Sequence, residues 1–558
     1  MDTAFYSIDE ESNFSVLTAR QKRLVEGAVI YNSLLQPGRS LKYRVYFGAD
    51  CKYPRLTDIS TLDGGLTEKV GLSPTCAFTA TSLVQPSSEF SSHYYFDDVP
   101  VVDTGVRYIA LTPDDARDDD FMIGREYTTK EKVYRELESS HPLLLDNIRE
   151  LTRKKRIQEG KRTIKPAEVP SYEWVTCKSH RPLADIAPGL VRSGASEAVV
   201  IAMHWLQAGG AERWAMETVK IVRDAGLVPI VITSIDSHQP WITDPVLDGA
   251  VVMNLTFPAQ ERPGDEPLLR ALFEQFNIRG ILIHHCQWMY DRLWWVKKYC
   301  ADTPVVDSLH IVEYRWRGGF PAEAVSHDRY VDIHHVISPQ LVDWLTRVHG
   351  IDPSKVIDAP LVDLTADPEA LKFKRRVEDS RLALAFVGRM NRQKRPDAFI
   401  LLAKELEKKH PGRYRFILHG SGDIDAVADR MIERFGLIDV IERRGIDVPV
   451  EETYQDSDVL VVSSVNEGIT LTTFEAISAG MPVLSTNVGS QATVIPSEAL
   501  LGMSTSSFLK KSISLLETML NDESLRETIW SHEVKLVNEF SRLETANHLF
   551  ARLVNDWK

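Results

Sequence analysis

Two glutamates, Glu467 and Glu475, are separated by seven residues in the segment SSVNEGITLTTFEAISAGMPVLST, residues 463–486. The chain has 79 acidic residues, so a pair at this spacing also arises by chance, and the neighbouring residues must decide its meaning. Gly468 lets the backbone approach a ligand closely. A predicted helix begins near residues 470–472, and the free N–H groups of its first turn can bind an anion. Because carboxylates accept hydrogen bonds from sugar and ribose hydroxyls, the combination suits a sugar joined through diphosphate to a nucleoside.

Two other segments carry groups of the same kind. The segment GRMNRQKRPD, residues 388–397, contains Arg389 and Lys394, cations that can neutralise a diphosphate. The segment HGSG, residues 419–422, supplies Gly420 and Gly422, where a ring or a backbone can pack closely. Taken singly, a glycine after a strand is usually a turn and an Arg–Lys pair is usually a solvated surface. Their occurrence at the ends of successive predicted strands favours a ligand site.

The elements that position these residues follow a repeated pattern of apolar strands alternating with amphipathic helices, which predicts an α/β fold with doubly wound parallel sheets. One series includes AVVIAMHWL at 198–206 and GILIHHC at 280–286, and a second begins with LALAFVGRM at 382–390. We therefore predict two Rossmann-like domains facing a cleft, at residues 191–370 and 371–539. The last segment, residues 540–558, has helical periodicity and is predicted to pack back across the domains.

The N-terminal part of the chain, residues 1–190, has a different residue pattern. Residues 1–127 are predicted to form a strand-rich accessory domain, a sandwich or curled sheet, because short aromatic and β-branched runs alternate with Pro, Gly, Ser and Asp clusters. The predicted strands lie at residues 41–50, 76–84, 93–98 and 105–113. Residues 128–190 are a charged helical segment and a linker. The basic run at residues 153–156 fits either contact with an anionic membrane or a solvated helix face.

Composition restricts the class of protein. At 558 residues the chain is too long for one core, and its net charge of −14 disfavours general binding of nucleic acid. The N-terminus does not resemble a secretory signal, and no apolar run reaches the length of a membrane span. The five cysteines follow no metal-binding spacing, which indicates a reducing compartment and neither a disulfide framework nor a zinc site. We expect a cytoplasmic protein, with peripheral contact at the inner face of the membrane as an alternative.

With these motifs in view, the chain resembles the retaining GT-B glycosyltransferases of glycosyltransferase family 4 (glycosyl transferases group 1). The resemblance covers residues 195–558 and rests on the Glu–x7–Glu segment and on GRMNRQK, which is similar to the family's G-R-x-x-x-x-K. It implies that Glu475 binds the ribose, that Glu467 contacts the donor sugar, and that Arg389 and Lys394 hold the diphosphate. The chain departs from the family at VGSQAT, residues 488–493, where members often have Gly-Gly-x-x-Glu.

The first Rossmann-like domain adds residues to both sides of the cleft. Gly209 and Gly210 match the family's glycine loop near the donor phosphate, and His310 matches a histidine beside the donor sugar, although a lone histidine is often structural. Trp316 is the predicted acceptor contact, since an aromatic face stacks on sugars, while the other tryptophans of this domain fit core packing as well. The predicted catalytic residues are Glu467, His310, Arg389 and Lys394. The predicted donor site consists of Glu475, Gly209, Gly210, Gly420, Gly422, Gly468, Ile469, Thr470, Leu471 and Thr472.

The resemblance implies transfer with retention of anomeric configuration from a nucleotide-diphosphate sugar, with no cofactor and no required metal. In agreement, no Asp-x-Asp stands in a plausible metal-binding context, and the HH pairs at 284–285 and 334–335 lie in or at the end of strands, where neighbouring side chains point to opposite faces. The expected acceptor is a glycan or a lipid-linked glycan, as in the synthesis of a cell-surface polysaccharide. The alternatives are a GT-B scaffold without catalysis that binds glycan or protein partners, and a different nucleotide-sugar reaction on the same fold.

Overall fold

The computed structural model describes residues 5–9, 11–47, 55–56, 74–84, 105–111, 114, 128–169, 185–235, 237–255, 266–361, 371–377, 381–422 and 424–558. The predicted strand at residues 93–98 lies outside these ranges, as do Cys51 and Cys177. Within them, no helix is long and apolar enough to cross a lipid bilayer.

The N-terminal region forms one five-stranded mixed sheet in the order β1-β4-β2-β5-β3. Strands β2, β4 and β5 lie at three of the predicted segments. The region also contains a 17-residue helix, α1, which the strand-based prediction did not include. Its elements are β1 (Tyr6–Asp9), α1 (Ala19–Leu35), β2 (Ser40–Phe47), β3 (Arg55–Leu56), β4 (Cys76–Ser82) and β5 (Val106–Leu111).

Helix α1 joins the N-terminal sheet to the next domain. Thr18 caps the helix, and its side chain and that of Gln21 form a reciprocal capping box. A Cβ at Gly27 would lie 2.7 Å from the carbonyl oxygen of Val252, so the backbones of α1 and of the neighbouring domain's edge strand touch. Residues of α1 and of the N-terminal sheet belong to the same buried hydrophobic cluster as the first Rossmann-like domain. The two regions therefore share one core.

Two short helices, α2 (Thr129–Ser140) and α3 (Pro142–Glu159), follow as a hairpin. The first Rossmann-like domain then forms a seven-stranded, all-parallel sheet in the order β12-β11-β10-β9-β6-β7-β8. Its elements are β6 (Glu197–Met203), α4 (Gly210–Asp224), β7 (Val228–Thr233), β8 (Val251–Asn254), α5 (Glu266–Gln275), β9 (Asn277–His284), α6 (Gln287–Tyr290), α7 (Leu293–Tyr299), β10 (Val305–Leu309), α8 (Phe320–His327), β11 (Ile333–Val336), α9 (Pro339–Asp343) and β12 (Val356–Asp358).

The second Rossmann-like domain has its own buried cluster and a six-stranded parallel sheet in the order β15-β14-β13-β16-β17-β18. The predicted α/β fold with two doubly wound sheets is confirmed. The elements of this domain are β13 (Leu382–Val387), α10 (Pro396–Lys409), β14 (Tyr414–His419), α11 (Asp425–Arg434), β15 (Ile441–Arg444), α12 (Val450–Asp456), β16 (Val459–Val462), α13 (Leu471–Ser478), β17 (Val483–Thr486), β18 (Leu500–Leu501), α14 (Thr505–Asn521) and α15 (Glu523–Phe540).

The chain ends in α16 (Ala546–Asp556), which lies on the first Rossmann-like domain rather than on the second. The Phe550 ring packs edge-on against Trp214, with ring centroids 5.0 Å apart. A Cβ at Gly280 would lie 2.4 Å from the Trp557 ring, so this ring occupies the space beside the glycine in β9. The return of the chain ties the two domains together on the side where α4 begins.

Candidate functional site

The strand orders fix where a ligand would bind. In each parallel sheet the chain reverses its direction of travel at one pair of neighbouring strands, β6 and β9 in the first domain and β13 and β16 in the second. Open parallel sheets bind ligands beyond the carboxyl ends of strands at this switch point. Gly209 follows β6, Arg389 and Lys394 follow β13, and Glu467 follows β16. These four sequence-predicted residues therefore lie at the two switch points.

Lys394 and Glu467 form an ion pair at the switch point of the second domain. Lys394 Nζ lies 2.8 Å from Glu467 Oε1, and the Glu467 side chain is buried. The loop after β13 is fixed to the end of β16, because Ser463 Oγ donates to the carbonyl oxygens of Lys394 and Arg395. This arrangement holds a cation and a carboxylate side by side at the mouth of the sheet.

Helix α13 starts directly beside this pair. Thr470 is its N-cap residue, and the Thr470 hydroxyl accepts a hydrogen bond from Gln491 Nε2 at 3.1 Å and contacts Thr473 Oγ1 at 2.6 Å. Thr472 is partly exposed in the first turn. The side chain of Ile469 is buried in the core of the second domain, so only its backbone is left to face a donor.

Glu475 lies one turn further along α13 and already has two partners. Tyr454 Oη donates to Glu475 Oε2 at 2.7 Å, and Arg213 Nη1 donates to Glu475 Oε1 at 2.9 Å. Tyr454 comes from α12 of the same domain, whereas Arg213 comes from the first turn of α4 in the other domain. The carboxylate predicted to bind ribose thus takes part in a contact across the cleft.

The glycine loop of the first domain faces the same region. Arg389 Nη2 donates to the carbonyl oxygen of Ala208 at 2.9 Å, again across the cleft. A Cβ at Gly210 would lie 3.5 Å from Leu471 Cδ1, an ordinary contact, so the start of α4 packs against the start of α13. A Cβ at Gly209 would lie 2.1 Å from Glu212 Oε2, so a side chain there would displace the Glu212 carboxylate.

The glycines of HGSG are explained by the loop after β13. A Cβ at Gly420 would lie 2.1 Å from the carbonyl oxygen of Gly388, and one at Gly422 would lie 2.5 Å from that of Met390. Gly420 also has φ of +124°, a conformation that L side chains rarely adopt. The two glycines let the loop that carries Arg389 pack tightly on the neighbouring strand end.

His310 lies where the two domains touch. A Cβ at Gly468 would lie 2.1 Å from the carbonyl oxygen of His310, so the loop after β16 presses directly on the backbone after β10. The buried imidazole contacts Ser308 Oγ through Nε2 at 3.1 Å. Burial, together with the neighbouring histidines His285 and His335, lowers the pKa of His310 well below its ordinary value. His310 is therefore neutral at pH 7, and its backbone borders Gly468.

The histidines around His310 were not predicted as a group. His285 has φ of 54°, and its ring stacks on Phe320 and meets His310 edge-on at 5.2 Å. His204 Nε2 lies 3.0 Å from Glu212 Oε1. Burial acts to raise the pKa of Glu212, but the hydrogen bond and electrostatic attraction of His204, the hydrogen bond from Trp205 and a backbone hydrogen bond together lower this pKa to about 2. The HH pair at 284–285 was the available signal in the sequence. The structure adds that His285, at the end of its strand, has positive φ, a conformation that clusters at functional sites when the residue is not glycine.

Because of these buried histidines, we expect the folded protein to lose stability in acid. Burial lowers the pKa of His285 to about 3 and that of His335 to about 4, against an ordinary value of 6.5. The unfolded chain takes up these protons first, so the stabilisation is complete above pH 6.5 and is lost as pH falls toward the folded values. We expect the free energy of unfolding to decrease by about 1.4 kcal/mol per pH unit for each such histidine below pH 6.5.

Thermal unfolding of the wild type and a His335→Gln variant between pH 7 and 5 would measure the effect. His335→Gln should flatten the dependence, because the glutamine does not titrate. His548→Gln, at an exposed position in α16, is the control and should keep the full slope. Equal slopes in all three proteins would contradict this account.

Trp316 is the most exposed large hydrophobic residue of the turn Tyr314–Trp316, at 64%. The Arg315 guanidinium carbon lies 5.1 Å from the centroid of its ring, and Arg317 after it has φ of 57°. An exposed aromatic ring beside a cation remains a candidate acceptor contact. For other tryptophans of this domain the alternative of core packing holds, because they are buried: Trp214, Trp288, Trp294, Trp295 and Trp344.

The loop at VGSQAT, where the chain departs from the family pattern, supports the loop after β16. Gly489 has φ of +58°, and a Cβ there would lie 1.9 Å from the carbonyl oxygen of Glu467. Ser490 N donates to the carbonyl oxygen of Gly468 at 3.0 Å, and the buried Gln491 side chain bonds Thr470. The VGSQAT loop therefore supports the backbone of Glu467 and Gly468, although its sequence departs from the family pattern.

The helical hairpin also reaches the donor-side loop. Glu138 of α2 is buried and accepts two hydrogen bonds from Arg392, at 2.9 and 3.1 Å, and it is also paired with Arg149 of α3. Arg392 lies between Arg389 and Lys394 in the loop after β13, and its guanidinium carbon lies 5.2 Å from the centroid of the Tyr134 ring. No feature of the sequence predicts this contact, which joins residues 254 positions apart.

We expect a Glu138→Gln variant to bind a nucleotide donor several-fold more weakly. The neutral amide no longer balances Arg149 and Arg392, so the loop that carries Lys394 loses a buried, charged anchor. Isothermal titration with the donor would measure the change. Glu136→Gln is the matched control, because Glu136 pairs with Arg434 on the exposed side of the same helix and should leave affinity unchanged. Equal affinities for both variants would contradict the anchoring role.

Among the described residues, no group of three or more His, Cys, Asp or Glu side chains is arranged to hold a metal ion. The sequence-based expectation of metal-independent chemistry stays a prediction.

The second Rossmann-like domain is similar in sequence to a known family. Residues 367–529, which carry Arg389, Lys394, Glu467 and Glu475, match the model of the family "Glycosyl transferases group 1". The match spans most of the second Rossmann-like domain. With its partner domain across the cleft, this domain completes the GT-B architecture predicted from the sequence.

Curated relatives are similar over parts of the chain. D-inositol 3-phosphate glycosyltransferase 2 of Catenulispora acidiphila is 28% identical over 243 residues, which are 38% of this chain and 56% of that protein. D-inositol 3-phosphate glycosyltransferase of Nocardia farcinica is 25% identical over 328 residues, 52% of this chain and 72% of that protein. This chain therefore spans little more than half of the first relative.

Among solved structures, Anabaena Alr3699/HepE in complex with UDP-glucose is similar at 14% identity with a TM-score of 0.49. The match covers 65% of this chain and 98% of that chain.

Proposed function

We propose that the protein is a glycosyltransferase that moves a sugar from a nucleoside-diphosphate sugar to a glycan or a lipid-linked glycan. The observation that carries this proposal is the Lys394–Glu467 pair at the switch point, next to the N-terminus of α13 and one helical turn from Glu475. The cation and the helix N-terminus match the diphosphate of such a donor, and the carboxylates of Glu467 and Glu475 match its sugar and its ribose. The match of residues 367–529 to the glycosyl transferases group 1 family supports the same reaction class.

In the proposed reaction, Arg389, Lys394 and the N–H groups at the start of α13 stabilise the charge that develops on the departing diphosphate. Glu475 binds the ribose hydroxyls and Glu467 binds the donor sugar. The neutral His310 and its backbone border the sugar from the other domain. Closure of the two domains excludes water. We propose retention of configuration and no metal requirement, following the family resemblance.

For the acceptor side, we propose that Trp316 and the exposed residues beside it contact a glycan, within the synthesis of a cell-surface polysaccharide in the cytoplasm. The relatives' names add a second acceptor to test, D-inositol 3-phosphate.

A donor screen tests the proposal. Purified protein is incubated with a panel of UDP-, GDP- and ADP-sugars, first alone and then with D-inositol 3-phosphate, and thermal shift and mass spectrometry are measured. We expect one donor to stabilise the protein and to be slowly hydrolysed, and both effects to weaken in Glu475→Ala. No response to this panel or to CDP- and dTDP-sugars would overturn the proposal.

A further inference from the structure

Helix α3 has an apolar stripe on its exposed face. Leu144, Ile148 and Leu151 are 55%, 54% and 70% exposed. Their spacing of four and three residues places them on one face of the helix. Soluble helices normally bury such a stripe against the core, so this face has the character of a surface that meets another apolar phase.

A basic segment continues from the stripe. Residues 151–165, LTRKKRIQEGKRTIK, contain seven basic residues and one acidic residue, in a chain whose net charge is −14. Five of these cations are exposed: Lys154, Lys155, Lys161, Arg162 and Lys165. The nearby acids Glu150 and Glu159 are partly buried. Glu150 is paired with Arg153, and the exposed Lys154 and Lys155 lie only at the outer limit of an ion pair, 3.9 Å from Glu150 and 4.0 Å from Glu159. The segment therefore presents a concentrated positive charge on an acidic protein.

This surface lies beside the candidate acceptor loop. A Cβ at Gly160, at the end of α3, would lie 3.2 Å from the Tyr314 ring, and Gly160 O contacts His349 Nε2 at 3.2 Å. Tyr314 opens the turn that ends at the exposed Trp316. Further along, Ala167 N donates to the carbonyl oxygen of Ser326 at 2.7 Å. The end of the basic segment is thus fixed to the acceptor side of the cleft, whereas the hairpin that carries the stripe is anchored to Arg392 of the second domain.

We propose that Leu144, Ile148 and Leu151, together with the five exposed cations, form an apolar-basic surface that binds an anionic phospholipid bilayer. Apolar side chains enter the boundary between headgroups and acyl chains, and lysines and arginines beside them attract anionic headgroups. A soluble polyanion would use the cations alone and leaves the stripe unexplained. Resting on the proposed function, this placement brings Trp316 to the membrane and makes a lipid-linked acceptor the substrate class.

Vesicle co-sedimentation of the full chain tests the proposal. The probes are vesicles of phosphatidylcholine mixed with phosphatidylglycerol and vesicles of phosphatidylcholine alone. We expect the wild type to bind the mixed vesicles more strongly. Lys154→Glu with Lys155→Glu should reduce that binding by roughly tenfold or more. Leu144→Ser, Ile148→Ser and Leu151→Ser combined should also abolish most of it.

The control is Lys408→Glu with Lys535→Glu, which makes the same change in charge at exposed positions of α10 and α15 and should bind like the wild type. No binding by the wild type, or an equal loss in the control, would overturn the proposal. It would equally fall if the wild type binds heparin but not vesicles and the serine variant keeps heparin binding, which would assign the surface to a soluble polyanion.

Donor hydrolysis without vesicles separates this proposal from the proposed function. We expect it to be unchanged in the lysine and serine variants, because none of these residues lies at the switch points. A wild type that binds mixed vesicles but hydrolyses no donor would refute the enzyme and leave the membrane surface standing. A wild type that hydrolyses a donor but binds no vesicle would do the reverse.

Discussion

A Lys394→Ala variant is expected to lower the rate of sugar transfer by roughly two to three orders of magnitude, the usual effect of removing one preorganised charge from a transition state. The lysine Nζ lies 2.8 Å from the buried Glu467 carboxylate. We expect it to stand beside the diphosphate as the bond to the sugar breaks, where negative charge develops. Initial rates with the donor found in the screen, at saturating acceptor, measure the loss.

Stability must be followed in the same variant, because Glu467 would keep its buried charge without the lysine. A Glu467→Gln variant with Lys394→Ala removes both charges and should recover stability without recovering activity. Lys409→Ala is the control, since it breaks an exposed Lys–Glu pair with Glu517 at 3.1 Å and should leave the rate unchanged. A folded Lys394→Ala protein with full activity would contradict the proposed role.

The fold of the two Rossmann-like domains was predictable because their strands are buried on both faces. Continuous apolar runs such as LALAFVGRM give β13 at Leu382–Val387, and they stand out against the amphipathic helices between them. Glycines and prolines mark the ends of helices, as Gly480 and Pro482 do after α13. These signals are local, so a single sequence carries them.

Helix α1 was missed although its signals are also local. Thr18 and Gln21 form a capping box, and the helix ends before a Pro-Gly pair. The surrounding aromatic and β-branched runs at 41–50 and 76–84 directed the prediction toward strands for the whole region. The core that α1 shares with the next domain could not be predicted, because it depends on tertiary packing across more than 200 residues, as in the contact of Gly27 with Val252.

The candidate site also contains some features that local sequence signals predict and others that depend on tertiary packing. Residues that follow strands within one domain, such as Lys394 and Glu467, were predictable from strand ends and family motifs. Contacts between site residues and distant parts of the chain were not predictable. Arg213 contacts Glu475 across 262 positions of the sequence, and Glu138 contacts Arg392 across 254 positions. No periodicity or spacing encodes how two domains face each other, so these contacts emerge only from the structure.

The cross-domain pair leads to the second large effect. A Glu475→Ala variant is expected to bind the nucleotide donor roughly ten- to a hundredfold more weakly, because a hydrogen bond to a charged group contributes about 1.5–3 kcal/mol. Its Oε1 and Oε2 accept from Arg213 and Tyr454 at 2.9 and 2.7 Å, so the carboxylate is held in a fixed position. Isothermal titration with the donor, or with its nucleoside diphosphate, measures the change.

An Arg213→Ala variant distinguishes two possible roles of the Glu475 carboxylate, a direct contact with the ribose and an ion pair between the domains. If ribose hydroxyls take the place of Arg213 at Glu475, removing the arginine leaves donor affinity equal or higher, whereas removing the glutamate lowers it. Glu452→Ala, an exposed carboxylate on α12 near Tyr454, is the control and should bind donor like the wild type. Full donor affinity and full activity in Glu475→Ala would refute the ribose contact. An equal loss in Arg213→Ala and Glu475→Ala would mean instead that the ion pair between the domains, rather than the carboxylate itself, shapes the donor site.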